Sequence, residues 1–267
     1  MAAISYESYA AIAVERAGRT LTVMLNRPDA LNAVDARMHA ELARIFDDAA
    51  RDDSADLVIL TGAGRAFCAG GDLGWLRQTR GRPDAFATMA VEARRIIESL
   101  LDLEKPLICR LNGDAVGLGA TLALFSDIVV ASENARIGDP HVRIGLVAGD
   151  GGAAIWPHLV GHLRAKEFLM TGDLISAPEA ASMGLINRAV PTDQLDAEIA
   201  RLRDKLLRGS RQAIRWTKLS VNLGLKQTVQ SAFQASLAYE IASAALPDHA
   251  EGVDALLEGR HPQFNRA

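Results

Sequence analysis

The segment GDPHVRIGLVAGDGG, residues 138–152, places a histidine and an aspartate nine positions apart in a glycine-rich, apolar stretch. His141 can act as an acid or a base near neutral pH, because the unperturbed pKa of imidazole is about 6.5. A carboxylate such as Asp150 can bind one ring nitrogen, fix the tautomer and stabilise the imidazolium. Two simpler interpretations stay open: His141 as an exposed loop residue, and Asp150 as the N-cap of the helix predicted to follow. Asp150 could also fill both roles.

Two glycine-rich loops, FCAGGDL (67–73) and NGDAVGLGAT (112–121), each follow a predicted strand. Glycine lets a ligand approach backbone N–H groups closely, and the second loop enters a helix whose first N–H groups lack intrahelical partners. The loops could therefore aim two amides at one developing oxyanion. Alternatively, the glycines only permit close packing of strand and helix. GLGATL lacks the third glycine of a dinucleotide fingerprint, and no P-loop sequence is present.

The elements that must position these residues follow from the hydrophobic pattern. Two short strands with a turn at residues 17–19, a helix from Asp35 to Arg51, the buried strand DLVILTG and a helix through residues 86–100 are predicted in turn. KPLICRLNG and DIVVAS are further strands, and GLGATLALF is a helix between them. This alternation predicts an α/β core of stacked β-β-α units over residues 1–191. Residues 192–267 contain only helical patterns and form a predicted C-terminal extension, of a kind that often packs on a neighbouring subunit.

Composition excludes several classes of function. The chain has 267 residues, a net charge of −4 and no basic block, so nucleic acid is not an expected partner. The N-terminus does not resemble a signal peptide, no apolar run is long enough to span a membrane, and a cytoplasmic location is expected. Cys68 and Cys109 form no C-x-x-C pair. His158 and His162 have a metal-ligand spacing, but the expected helix break at Gly161 separates them, and no metal is expected.

Six segments taken together resemble the crotonase, or enoyl-CoA hydratase/isomerase, superfamily: LNRPDALNAV, FCAGGDL, NGDAVGLGA, SDIVVASENARIG, LMTGDLISAPEAASMGLINRAV and EGVDALLEGRHPQF. The resemblance covers about residues 9–264. It implies a spiral core, trimers or pairs of trimers, and an acyl-CoA substrate with no cofactor beyond the coenzyme A that the substrate carries. The backbone amides of Gly71 and Leu118 would form the oxyanion hole. The implied thioester and coenzyme A site comprises Arg27, Ala30, Ala69, Asp72, Leu73, Gly74 and Arg260, with His261 beside Arg260; a solvated helix end is the alternative for the last two.

The chain departs from typical hydratases of that superfamily at both catalytic glutamates. The first position is Thr121 and the second is His141. Adding water to an enoyl thioester calls for two acid/base groups, and a threonine hydroxyl can orient a water but cannot serve as the base. Ordinary hydratase chemistry is therefore not the expectation from these two positions.

The variant pattern is similar to that of 6-oxocamphor hydrolase, a superfamily member that cleaves a carbon–carbon bond in a cyclic β-diketone. Similar elements are Pro140-His141, Gly149-Asp150-Gly151 and Trp156-Pro157-His158. The resemblance implies catalytic roles for His141, Asp150 and Glu240 and a weaker one for His39; a surface glutamate and a polar helix face are the alternatives for the last two. Because this chain keeps NRPDALNA and an intact glycine loop, a coenzyme A thioester remains the expected substrate.

Three hypotheses follow. The first is a hydratase/isomerase-type enzyme in which His141, held by Asp150, activates water or moves a proton beside the oxyanion hole. The second is a carbon–carbon hydrolase acting on a β-dicarbonyl, and the third is a non-catalytic acyl-CoA binding protein. Trp75, Leu76, Phe86 and Met89 could form an apolar acyl pocket, although core packing would explain them equally well.

Overall fold

The structure is a computed structural model that describes residues 4–80 and 82–265. The strands are β1 (Ile12–Ala17), β2 (Thr20–Leu25), β3 (Leu57–Gly62), β4 (Leu107–Leu111), β5 (Ala115–Val116), β6 (Ile128–Ser132), β7 (Arg136–Gly138), β8 (Ile175–Ser176) and β9 (Arg188–Val190). The helices are α1 (Ala36–Arg51), α2 (Leu73–Thr79), α3 (Pro83–Asp102), α4 (Leu118–Leu124), α5 (Gly152–Thr171), α6 (Ala177–Ser182), α7 (Leu195–Arg208), α8 (Arg211–Thr228), α9 (Gln234–Ala244) and α10 (Pro247–Leu257).

The larger sheet has the order β1-β2-β3-β4-β6-β9, and every neighbouring pair except the β1–β2 hairpin is parallel. All six residues of β3 are buried because both faces of the sheet are covered. Val58 and Leu60 join the main core, whereas Leu57 and Ile59 pack in a second cluster against α7. A smaller sheet, β5-β7-β8, lies next to the second glycine loop. The predicted α/β class and the alternation of strands and helices are thus confirmed.

Helix α1 illustrates how local sequence sets an element. The carboxylate of Asp35 accepts the Met38 N–H at 2.9 Å and caps the first turn. Its buried face, including Leu42 and Phe46, then packs into the main core. The sequence prediction of a helix between residues 35 and 51 agrees with these bounds.

The C-terminal helices pack on the chain's own core. Helix α7 contacts β3, β4 and β6, helices α8 and α9 contact α3, and α10 contacts α2 and the 3-10 turn His141–Ile144. A π-helical turn, Val229–Phe233, joins α8 directly to α9, so two segments predicted as separate helices form one continuous rod. In the part of the chain that is described, no helix has the length and apolar character that crossing a membrane requires.

Candidate active site

A cavity of about 610 Å³ lies where the two glycine loops meet α2, α3, α9 and α10. Trp75 and Leu76 of α2 line it together with Phe86 and Met89 of α3. These four side chains form an apolar wall, as expected for an acyl pocket. The other side of the cavity carries the glycine loops and the titratable groups.

Gly71 and Leu118 both line this cavity. Hydrogen bonds from Val34 N–H to the Gly70 carbonyl (2.7 Å) and from Asp72 N–H to the Val34 carbonyl (2.9 Å) fix the backbone around Gly71. Leu118 is the first residue of α4, where an N–H has no intrahelical acceptor. Among the described residues neither amide has a hydrogen-bond acceptor, so both are available to a ligand oxygen.

At two positions near the start of α4, atoms of neighbouring residues lie close to where a Cβ would stand, so glycine is required. Gly117 has a φ of +55°, and a Cβ there would lie 3.3 Å from Cε1 of His141. A Cβ on Gly119 would lie 2.6 Å from Cβ of Cys68, in the first glycine loop. The glycines therefore serve packing and also bring the imidazole of His141 against the residue that precedes the Leu118 amide.

His141 lies between two carboxylates. Oδ1 of Asp139 makes a short hydrogen bond with ring Nδ1 and also accepts the His141 backbone N–H at 3.4 Å. On the other side of the ring, Oδ2 of Asp150 is 3.6 Å from Nε2. Burial disfavours the cation, but the negative charges of Asp139, Asp150 and Glu240 outweigh it and raise the pKa of His141 well above its usual value. The surrounding carboxylates therefore favour the protonated ring.

Asp150 is buried and lines the cavity. Its Oδ1 accepts the hydroxyl of Thr121 at 3.3 Å, so the residue that replaces the first hydratase glutamate orients this carboxylate. Burial raises the pKa of Asp150, and the charge of His141 opposes that increase. The prediction that Asp150 caps the next helix is wrong: Gly151, with a φ of +129°, is the N-cap of α5, and no side chain caps that turn.

Glu240 reaches the same cavity from α9, ninety positions along the chain from Asp150. Helix α9 approaches so closely because Gly149 has no side chain; a Cβ there would lie 2.7 Å from Oε2 of Glu240. That oxygen is buried and has no hydrogen-bond partner. Burial, followed by the charge of Asp150, raises the pKa of Glu240 to about 8. This raised pKa favours the neutral carboxylic acid at physiological pH.

Asp139, His141 and Asp150 could also supply metal ligands, since their donor atoms lie within 4.8 Å of one another. However, the two carboxylates contact opposite nitrogens of the imidazole. An ion bound by both carboxylates and by the histidine would need one ring nitrogen directed at it, but each nitrogen faces a different carboxylate. The arrangement fits proton transfer better. Gly161 leaves the helical conformation between His158 and His162, at the predicted break.

The residues implied for coenzyme A divide into two groups. Ala69, Leu73 and Arg260 line the cavity, as does His261, whereas Ala30 and Gly74 lie outside its wall. Arg27 and Asp72 also lie outside and bind each other, with 3.3 Å between Nη2 and Oδ2. Asp72 caps α2 by accepting the Trp75 N–H. At the rim, the guanidinium of Arg260 pairs with Glu251 and Glu258.

Sequence reasoning missed Asp139, the residue that holds His141 most directly. It is 1% exposed, and its Oδ2 is buried without a hydrogen-bond partner. The only signal was an acid two positions before the histidine, a spacing that has no special meaning in a loop. His39, in contrast, lines the cavity as the weaker part of the resemblance implied, and its Nδ1 contacts Glu92 on α3.

Comparisons with known proteins agree with this geometry. The family model described as "Enoyl-CoA hydratase/isomerase" matches residues 15–267. The chain is 35% identical over 253 residues to 1,2-epoxyphenylacetyl-CoA isomerase of Escherichia coli (strain K12), covering 94% of this chain and 96% of that protein. It is also 35% identical to 2,3-dehydroadipyl-CoA hydratase of the same organism, covering 94% of this chain and 97% of the relative.

Solved structures show the same relationship. An enoyl-CoA hydratase/isomerase from Mycobacterium paratuberculosis superimposes with a TM-score of 0.90 at 38% identity, covering 93% of this chain and 99% of that one. The fold and the paired backbone donors define a crotonase-type enzyme. The chain belongs to the enoyl-CoA hydratase/isomerase family.

Proposed function

We propose that the protein catalyses proton transfer and water addition on an acyl-CoA thioester whose carbonyl oxygen binds the amides of Gly71 and Leu118. The observation that carries this proposal is the shared cavity. Gly71 and Leu118, whose amides have no acceptor among the described residues, line it together with His141, Asp150 and Glu240. Two amide donors stabilise the negative charge that develops on a thioester oxygen when the α-carbon gains electron density.

The charges in the cluster suggest separate roles for its members. Asp150 accepts a proton from the attacking water, and its raised pKa makes its carboxylate a stronger base than an ordinary aspartate. His141, protonated between two carboxylates, stabilises the Asp150 carboxylate and holds the water. The sequence suggested that His141 itself is the base. Here Asp150 takes that role, because the raised pKa of His141 favours the cation, which cannot accept a proton.

Glu240 then supplies the proton that the α-carbon receives. With a pKa of about 8 it carries that proton at neutral pH. In a hydration, water adds its hydroxyl to the β-carbon, Asp150 gains the water proton, and Glu240 gives its proton to the α-carbon. Transfer of the proton from Asp150 back to Glu240 restores the site.

A second candidate is hydrolytic cleavage of the carbon–carbon bond in a 3-oxoacyl-CoA. The observation that favours it is the composition of the cluster: a histidine held by aspartates, with Glu240 from α9, in place of glutamates at positions 121 and 141. Water activated by Asp150 would attack the 3-oxo carbon, the bond to the α-carbon would break, and Glu240 would protonate the resulting enolate.

Two incubations separate these reactions. Conversion of crotonyl-CoA to 3-hydroxybutyryl-CoA supports hydration, whereas conversion of acetoacetyl-CoA with water to acetate and acetyl-CoA supports cleavage. Tight binding of both compounds with turnover of neither would support a non-catalytic acyl-CoA binding protein. That outcome would contradict the proposed function.

We further propose that Ala69, Leu73, Gly74, Arg27, Ala30, Asp72 and Arg260 form or support the coenzyme A site, and that no other cofactor is needed. Residues 1–191 would hold the site and residues 192–267 would contribute to assembly as a trimer or dimer of trimers in the cytoplasm. Exposed apolar side chains on α8 support an assembly role: Trp216 is 62% exposed and Val221 is 74% exposed. Light scattering of the purified protein tests the assembly.

A further inference from the structure

A second histidine–carboxylate pair lies beside the acid/base cluster, and its histidine lines the cavity. Nδ1 of His39, on α1, is 2.6 Å from Oε2 of Glu92, on α3. The side chain of His39 is 6% exposed, and its ring packs against Trp75 with 5.5 Å between ring centroids. Leu76, Phe86 and Met89 complete the surrounding wall.

The second nitrogen of this ring is free. Among the described residues Nε2 of His39 has no hydrogen-bond partner, although the ring lines the cavity. A ring nitrogen that has no protein partner and belongs to a residue lining the cavity can bind a ligand there. A simple strut between α1 and α3 would not need a histidine that faces the acyl pocket.

We propose that the pair His39–Glu92 is a polar anchor for the acyl chain, and that the substrates carry an acceptor oxygen, a carboxylate or ketone carbonyl, beyond the thioester. This inference rests on the proposed function, because it assigns a substrate class to the same acyl-CoA site. Nε2–H of His39 donates to that oxygen. Glu92 on one side and the ligand oxygen on the other hold the ring of His39, as Asp139 and Asp150 hold His141.

The alternative makes the opposite prediction. Without an anchor, a carboxylate entering a wall of tryptophan, leucine, phenylalanine and methionine loses its hydration and lies near the acidic cluster. Such a ligand would bind more weakly than an alkyl chain of equal length. The sign of the affinity difference therefore tests the proposal.

The test uses saturated, unreactive ligands, so that binding is measured apart from catalysis. Calorimetry compares butanoyl- with succinyl-CoA, pentanoyl- with glutaryl-CoA, and hexanoyl- with adipyl-CoA; 5-oxohexanoyl-CoA distinguishes a carbonyl from a carboxylate. At the chain length that reaches His39, we expect the polar ligand to bind at least about tenfold more tightly than its alkyl counterpart. Equal or weaker binding of every polar ligand would overturn the proposal.

Variants assign the preference to the pair. His39→Leu should abolish the preference while keeping affinity for the alkyl ligands, and His39→Gln, whose amide can still donate, should keep part of it. His162→Leu, an exposed histidine outside the cavity, is the matched control and should bind as wild type. Thermal denaturation of each variant shows whether the fold is intact.

The outcomes also separate the two proposals. If His39→Leu loses stability but keeps the polar preference, the pair is only a strut and the anchor is wrong. If no acyl-CoA binds the wild-type protein, the proposed function itself fails.

Discussion

Replacing Glu240 with glutamine keeps the shape of the side chain and removes its exchangeable acidic proton. We expect kcat to fall by about 100-fold or more, because general acid catalysis contributes on the order of 10² to 10⁴ to a rate. KM should change little, since the substrate's thioester oxygen binds the amides of Gly71 and Leu118 and not this side chain.

The magnitude follows from the protonation state. With a pKa of about 8, about 90% of Glu240 is protonated near pH 7, whereas an ordinary glutamate would be well under about 1% protonated. For the wild type, kcat should therefore fall about tenfold per pH unit above about pH 8, and protonation of the base Asp150 should lower it separately on the acid side. Glu240→Gln should lose this alkaline limb along with most of its activity.

Folding stability supplies a second readout with a defined sign. Because the pKa of Glu240 is raised in the folded state, this group's contribution to stability is full below about pH 4.5 and is lost as pH rises through about 8. Glu240→Gln has no such group at this position. Urea denaturation should therefore show the variant gaining stability relative to wild type between about pH 5 and pH 9.

The assay measures initial rates on crotonyl-CoA and acetoacetyl-CoA from about pH 6 to pH 10. Glu167→Gln, at an exposed position on α5, is the control for a glutamate-to-glutamine change and should match the wild type. Wild-type kcat in Glu240→Gln, or an alkaline limb that persists unchanged in it, would refute the assignment of Glu240 as the acid.

Three other substitutions test neighbouring parts of the site. His141→Ala should reduce turnover at least about 100-fold, and wild-type turnover in that variant would remove His141 from the mechanism. Asp139→Asn should lower kcat at least about tenfold with KM little changed, because it removes the carboxylate that orients Nδ1 of His141. An NMR titration of this variant should show a lower His141 pKa, and an unchanged pKa would contradict the ion pair. Gly117→Ala should lose activity and at least about 1 kcal/mol of stability, because the φ of +55° at this position strains alanine and the new methyl group meets the His141 ring. Urea denaturation and a rate measurement check the two effects. An active, equally stable variant would contradict the geometry.

Much of the fold could be predicted from local pattern. The capped helix after Asp35 and the entirely apolar strand through Leu57–Gly62 have signals that depend on nearby residues only. The join between α8 and α9 was not predicted, and a π-turn continues the helix between two segments that the pattern had separated. Both helices pack on α3, a long-range contact that local pattern does not report.

The site was predictable only where chemistry and spacing coincide. His141 and Asp150 were found because a histidine and an acid occur in one glycine-rich segment, and the structure brings them together. Asp139 gave no signal, since its role depends on the loop bending its carboxylate back to Nδ1. The path of Glu240 into the cavity depends on Gly149 admitting α9, and no sequence pattern links those two positions.

Deuterium incorporation at the α-carbon tests the central claim most directly. A saturated acyl-CoA such as butanoyl-CoA is incubated with the protein in D₂O at about pH 9, where Glu240 is ionised and can remove the α-proton. Mass spectrometry follows the mass of the acyl group. Two amides that stabilise an enolate beside acid/base side chains should give enzyme-dependent incorporation in the wild type and little in Glu240→Gln. An acyl-CoA that binds the wild-type protein and gains no deuterium would contradict the account.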